Sequence, residues 1–187
     1  DRLNDLMTAG LHHRWRELGV LLAEVGAGDS ALDVCCGTGD FAFALKRVVG
    51  PRGRVVGVDV SEKMLEAARE KSGRNQLYVE FGPADVLALP FSDGIFDACT
   101  VGFGIRNVAD IELAFRQMRR VCRPGGKVVC LEITQPGIPV FKQFYRLWFD
   151  RAVPWLGGVA AGDKKAYSYL PASVRRFPPP DELARLM

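Results

Sequence analysis

The sequence predicts an α/β fold, a Rossmann-like, doubly wound and mostly parallel sheet with helices on both faces. Three observations carry that prediction. Short β-branched runs alternate with longer helical patterns, and the runs are almost continuously apolar, as strands covered on both faces must be. The first run leads directly into a Gly-x-Gly turn that opens a helix. Composition agrees with a folded domain: 187 residues, 48% hydrophobic and 25% charged, are enough to bury a core. The 25 basic and 22 acidic residues leave a net charge of +3, scattered rather than blocked, which argues against a nucleic-acid binder and against disorder. No run of roughly 18 apolar residues suggests a membrane span. The first residues lack the basic-then-apolar order of a signal peptide, so a cytoplasmic location is expected.

Taken in order, Leu3, Leu6, Met7, Leu11, Trp15, Leu18 and Leu22 recur at helical spacing with a break at Gly10, predicting a helical arm over residues 1–25. Five strands are expected at Ser30–Cys35, Arg54–Asp59, Leu77–Phe81, Ile95–Val101 and Lys127–Ile133. Helices are expected at Asp40–Val48, at Ser61–Lys71 with Ser61 as cap, and at Asp110–Val121, with Arg123-Pro-Gly-Gly126 as a stop and turn. Beyond residue 134, Val140, Phe141, Phe144, Tyr145, Trp148, Phe149, Ala152 and Trp155 follow a 3.6 period, an amphipathic helix from Pro139 to Leu156. A further short helix begins at Asp181. The chain thus reads as a single domain over 1–187, with the arm at 1–25, a ligand-binding core at 26–134 and an aromatic helical region at 135–187. The five cysteines, Cys35, Cys36, Cys99, Cys122 and Cys130, show no Cys-x-x-Cys pair, so reduced, packed thiols and no metal site are expected.

The loop Asp33-Val-Cys-Cys-Gly-Thr-Gly-Asp40 after the first strand lets a ligand touch backbone. Its glycines Gly37 and Gly39, followed by Ala42, fit a dinucleotide fingerprint, and Asp59, about 20 residues on, suits a ribose. A nicotinamide cofactor is therefore open on spacing alone. Asp33 and Asp40 flank the loop, however, and carboxylates repel a pyrophosphate but attract the ammonium and sulfonium of S-adenosylmethionine (SAM). SAM is accordingly favoured. Residues just past each strand should face it: Asp33, Gly37, Thr38, Gly39, Asp40, Asp59, Val60, Asp85, Val86, Gly102 and Phe103, with Met64 beside Val86 against the adenine. Asp59 could instead cap the following helix, and Asp85 could shape the turn before Leu87.

These residues resemble the SAM-dependent C-methyltransferases of menaquinone and ubiquinone biosynthesis over nearly the whole chain. The likeness rests on Asp1-x-Leu-Asn4 with Thr8-x-x-x-His12-x-x-Trp15, on Phe103-Gly-Ile-Arg-Asn-Val108, on Arg120-Val-Cys-Arg-Pro-Gly-Gly126 through Glu132-Ile-Thr134, and on Tyr167-x-Tyr-Leu-Pro-x-Ser-Val174. Cys35 replaces the first glycine of the usual loop, where the family tolerates a small residue, and Cys122, Arg123 and Thr134 are unusual at their positions. The family implies a class I SAM methyltransferase fold whose sheet continues into two C-terminal antiparallel strands that this sequence does not include; without them an exposed sheet edge is expected.

The resemblance implies methyl transfer from SAM, yielding S-adenosylhomocysteine (SAH), to a ring carbon of a prenylated quinol, demethylmenaquinol or its ubiquinone counterpart. The carbon becomes nucleophilic once an ortho hydroxyl, with a pKa of about 10, loses its proton. Arg106 is the expected charged donor to the phenolate, Asn107 the orienting amide and His12 the candidate base, with Tyr145, Tyr167, Tyr169 and Asp163 as alternatives. Tyr145, Trp148, Tyr167 and Tyr169 are expected to contact substrate, and the aromatic helix either walls the prenyl tail, touching the membrane peripherally at its inner face, or packs on the core. A homodimer is open. The rivals are an O- or N-methyltransferase of the same fold, a nicotinamide oxidoreductase, and a non-catalytic SAM-binding module.

Overall fold

The computed structural model describes residues 11–134, 173–174 and 176–187. The chain divides into two compact units, residues 1–132 with Met187 and residues 133–186. In the first unit α1 (Leu11–Leu22) precedes a sheet of β1 (Ser30–Val34), β2 (Arg54–Asp59), β3 (Glu80–Pro83), β4 (Phe96–Gly102) and β5 (Cys122–Leu131). The connections carry α2 (Asp40–Val49), α3 (Glu62–Asn75) and α4 (Ile111–Val121). All pairings are parallel and the strand order is β3-β2-β1-β4-β5, as the sequence predicts for a doubly wound sheet. The order reverses between β1 and β4, and a crevice opens there beyond the strands' carboxyl ends.

Burial explains the strands' composition. Central β1 is covered on both faces, so Ala31, Leu32 and Val34 are fully buried and alternation is absent. The apolar stripe of α2, Phe41, Ala42, Leu45 and Val49, packs with Ala31, Val55 and Ala98 into one cluster. On α4 the buried residues are Ala114, Phe115, Met118 and Val121, and the Asp110 carboxylate caps the helix by accepting from the Leu113 amide at 2.8 Å.

Several boundaries differ from expectation for local reasons. Helix α3 runs past Lys71 to Asn75 and closes on Gln76, which adopts a left-handed φ of 52°. The chain then needs Leu77 to Val79 to reach the sheet, and β3 starts only at Glu80, opposite Val56. Proline at its end is tolerated because β3 is an edge strand. Ser61 holds the N-cap position of α3 without a side-chain cap bond; its own amide donates to Asp59 Oδ1 at 2.9 Å instead. Arg123-Pro-Gly-Gly126 is not a turn ahead of β5 but an irregularity within it, where the register steps from Phe96↔Cys122 to Ala98↔Lys127.

In the second unit the described helix is α5 (Pro180–Leu186), with proline in its first turn, Asp181 and Glu182 near its N-terminus and Arg185 in its last turn, each at a favourable end of the helix dipole. The expected aromatic helix from Pro139 to Leu156 and the arm before Leu11 lie outside the described residues.

Candidate active site

At the carboxyl ends of the strands lies a cleft of about 640 Å³. Of the residues expected to bind cofactor, Asp33, Gly37, Thr38, Asp40, Asp59 and Val60 line it, together with Met64, Asp85, Val86, Gly102 and Phe103. Arg106 and Asn107, from the short 3₁₀ turn Ile105–Asn107, line it as well. Gly39 does not. It has a φ of 82°, and a Cβ there would come within 2.7 Å of the Phe81 ring, so its part is to let the loop close over that ring. His12 is 3% exposed on α1 and is absent from the lining. Tyr145, Trp148, Asp163, Tyr167 and Tyr169 lie outside the described residues.

The carboxylates are held in different ways. Asp59 Oδ2 accepts from the Gly37 amide at 2.9 Å and its Oδ1 from the Ser61 amide, so this side chain ties the glycine loop to the start of α3. Asp85 Oδ1 accepts from the Leu87 amide at 2.9 Å. Both carboxylates are thus held by backbone amides, and both line the cleft with acceptor capacity to spare. Val60 and Met64 beside them are 75% and 46% exposed, large apolar side chains left open at a pocket wall.

Asp33 is the most buried of the set, 1% exposed. Its Oδ1 accepts from the Thr100 hydroxyl at 2.8 Å, while Oδ2 has no hydrogen-bond partner among the described residues. Burial pushes its pKa up to about 7, against the opposing pull of Thr100, the Ala42 amide and the Arg16 charge. Asp40 differs. It is ion-paired with Lys71 and, at 3.5 Å, with Arg16. The charge around the loop is thus less negative than the sequence suggests, because cations from α1 and α3 match one of the two flanking carboxylates.

On the β4–β5 side, Arg106 forms a buried ion pair with Glu132, its side chain 12% and that of Glu132 1% exposed. Nη1 also donates to the Phe103 carbonyl at 2.6 Å, the Arg106 amide donates to Glu132 Oε2 at 3.3 Å, and Nε is buried without a partner among the described residues. The expected charged donor is accordingly one neutralised by a carboxylate, and it keeps an unused N–H. Cys35 and Phe103, just past β1 and β4, have φ of 52° and 58°. Such left-handed non-glycine backbone costs of order 1–3 kcal/mol each and clusters at functional clefts. Burial and the nearby Asp59 and Asp33 push the Cys35 thiol up to about 12, which leaves it protonated and unreactive.

Sequence reasoning missed Arg16 and Glu132. Arg16 is signalled only as a cation between Trp15 and Glu17 on a helical pattern, and Glu132 only as a carboxylate near the end of the expected fifth strand, in the Glu132-Ile-Thr134 stretch. Among the described residues there is no metal-ligand cluster, and no helix is long and apolar enough to cross a membrane.

The strand order, the glycine loop and the acidic residues at successive strand ends define the Rossmann-like class I methyltransferase architecture. Solved structures share it. YcgJ from Bacillus subtilis aligns with a TM-score of 0.62 at 27% identity, covering 74% of this chain and 58% of that one. A SAM-dependent methyltransferase from Aquifex aeolicus aligns with a TM-score of 0.60 at 23% identity over 73% of this chain and 78% of that one, a likeness of fold alone. The chain belongs to the ubiE/COQ5 methyltransferase family, whose model matches residues 1–187. It is 46% identical over 186 residues to the demethylmenaquinone methyltransferase of Staphylococcus aureus (strain JH9), which covers 100% of this chain and 77% of that protein.

Proposed function

We propose that this protein transfers a methyl group from SAM to a ring carbon of demethylmenaquinol, giving menaquinol and SAH. One observation carries the proposal: in a chain of this family, a single cleft unites fixed acceptors at the ends of β1, β2 and β3 with the Phe103–Val108 segment after β4. The residues present fit the cofactor. The partnerless Asp33 Oδ2 suits an ammonium, Asp59 keeps lone pairs for ribose hydroxyls, Asp85 can accept from the adenine amino group, and Val60 and Met64 offer apolar walls. When bound, SAM supplies an electrophilic methyl on a sulfonium and needs no metal.

The protein's own share is to hold a phenolate and exclude water. Arg106, neutralised by Glu132, acts as a fixed hydrogen-bond donor to the quinol oxygen from the cleft wall, with its Nε–H still unused. Asn107 orients the same oxygen from the adjoining wall. His12 lies outside the cleft lining, one helical turn from Arg16, so in this reading it has no direct contact with the quinol. The prenyl tail of the substrate implies peripheral contact with the cytoplasmic face of the membrane, which a vesicle flotation assay checks; self-association is checked by sedimentation.

The test is incubation of the purified chain with SAM and demethylmenaquinol. Expected is equimolar SAH and a quinol heavier by one methyl on the ring. SAH binding without ring methylation would move the substrate elsewhere.

A further inference from the structure

A ligand with a charged amino-acid end needs an anion and a cation within reach of one carbon atom. Two cationic side chains line the cleft among the described residues, Arg16 and Arg106. Arg106 is committed to Glu132 and the Phe103 carbonyl. Arg16 is not committed in that way. It stands 3.5 Å from Asp40 Oδ2, and the charge of Asp40 is already matched by Lys71 on Oδ1. A guanidinium carries five donors in a planar fork, so one loose contact leaves most of them available.

The arm of the fold explains why an arginine from α1 lies here at all. Gly19 packs so tightly on the α2 side chain Phe41 that a Cβ at Gly19 would approach the ring to 2.7 Å. Arg16, three residues earlier on the same helix face, is thereby laid against Asp40, the residue before Phe41, at only 11% exposure. On the same stretch of cleft wall is Asp33, 1% exposed, with its Oδ2 unpartnered, and close enough to feel the Arg16 charge. A buried acceptor and an underused, partly buried donor, both lining one cleft, match the two charges of an α-amino acid.

We propose that Arg16 binds the methionyl carboxylate of SAM and SAH while Asp33 receives the ammonium, so that α1 closes the amino-acid end of the cofactor site. The proposal rests on the reading of this cleft as a SAM site. It makes the helix before the sheet part of the binding machinery rather than a packing arm.

Calorimetry on the full chain tests it with SAH and with 5′-methylthioadenosine, which keeps the adenosine and the thioether and lacks the amino-acid end. Arg16→Met is expected to weaken SAH by roughly 10- to 100-fold, the range for losing charge-assisted hydrogen bonds, and to change methylthioadenosine binding by less than about twofold. Arg16→Lys, which keeps the charge but not the fork, is expected to fall between wild type and Arg16→Met for SAH. An equal loss of both ligands in Arg16→Met and Arg16→Lys would overturn the proposal in favour of a purely structural arginine, and no loss of SAH would overturn it outright. Wild-type protein that binds methylthioadenosine no more weakly than SAH also overturns it, whereas failure of wild type to bind either ligand strikes the SAM reading itself.

Discussion

The two sides of the cleft, divided where the strand order reverses between β1 and β4, are built on different principles. On the β3-β2-β1 side two carboxylates at strand ends are pinned by backbone amides, Asp59 by Gly37 and Ser61 and Asp85 by Leu87. On the β4–β5 side the polar group is a guanidinium pinned by another side chain, Glu132, in a buried pair. Backbone amides move little, so the first side is a rigid template with lone pairs to spare, suited to recognising a constant ligand. The second side has a charge balance that can be broken by one substitution. Ground-state binding and chemistry should therefore separate across the line, and mutations can show whether they do.

The largest effect is expected at the ion pair. Arg106→Met leaves Glu132 as an uncompensated charge at 1% exposure, costing about 3–5 kcal/mol of stability, and removes the phenolate donor, lowering kcat by about 10²- to 10³-fold. SAH affinity should stay within about twofold of wild type, because the template side is untouched. The double variant Arg106→Met/Glu132→Met should regain most of the stability in urea unfolding and none of the turnover. Recovery of both together would mean that the pair only holds the fold.

Next comes Asp59. Its replacement by alanine deletes the acceptor for the Gly37 and Ser61 amides as well as the lone pairs assigned to the ribose, and SAH affinity should fall by roughly 10- to 100-fold. In the protein that still binds at high SAH, turnover should suffer far less than in Arg106→Met. A large loss of kcat at saturation would erase the division between the two sides.

The same division governs what the sequence could disclose. The centre of the sheet was legible because β1, β2 and β4 are covered on both faces and so are written as apolar runs. Asp59 and Asp85 were legible because each stands at or just past a strand end and accepts from an amide two residues ahead, a local event. Glu132 meets Arg106 across 26 residues and only because β5 lies beside β4 in register, which no local pattern encodes. Arg16 depends on how α1 docks on Phe41, and the matching of Asp40 by Lys71 spans 31 residues. Charges summed along the chain therefore overstated the negative field at the glycine loop, where tertiary contacts bring cations. The boundary errors at α3 and β3 have the same origin: a left-handed Gln76, and not Gly73 three residues earlier, decided where the helix ended.

The smallest effect expected is the pH dependence that Asp33 places on the template side. Its folded-state pKa, raised by burial to about 7 from 3.8, means that the folded protein holds one more proton than the unfolded chain between those values. The contribution of this group to stability is thus greatest below its unfolded pKa and declines as pH rises toward about 7. Binding runs the other way. A ligand ammonium against Oδ2 favours the ionised carboxylate, so binding below about pH 7 must release a proton, and SAH affinity should rise about tenfold between roughly pH 6 and pH 8 and then level. Calorimetry in two buffers of different ionisation enthalpy counts the proton directly. Asp33→Asn, which cannot ionise, should bind SAH more weakly and flatten the profile; a profile that keeps its slope in that variant would assign the proton to another group and leave Asp33 a structural partner of Thr100.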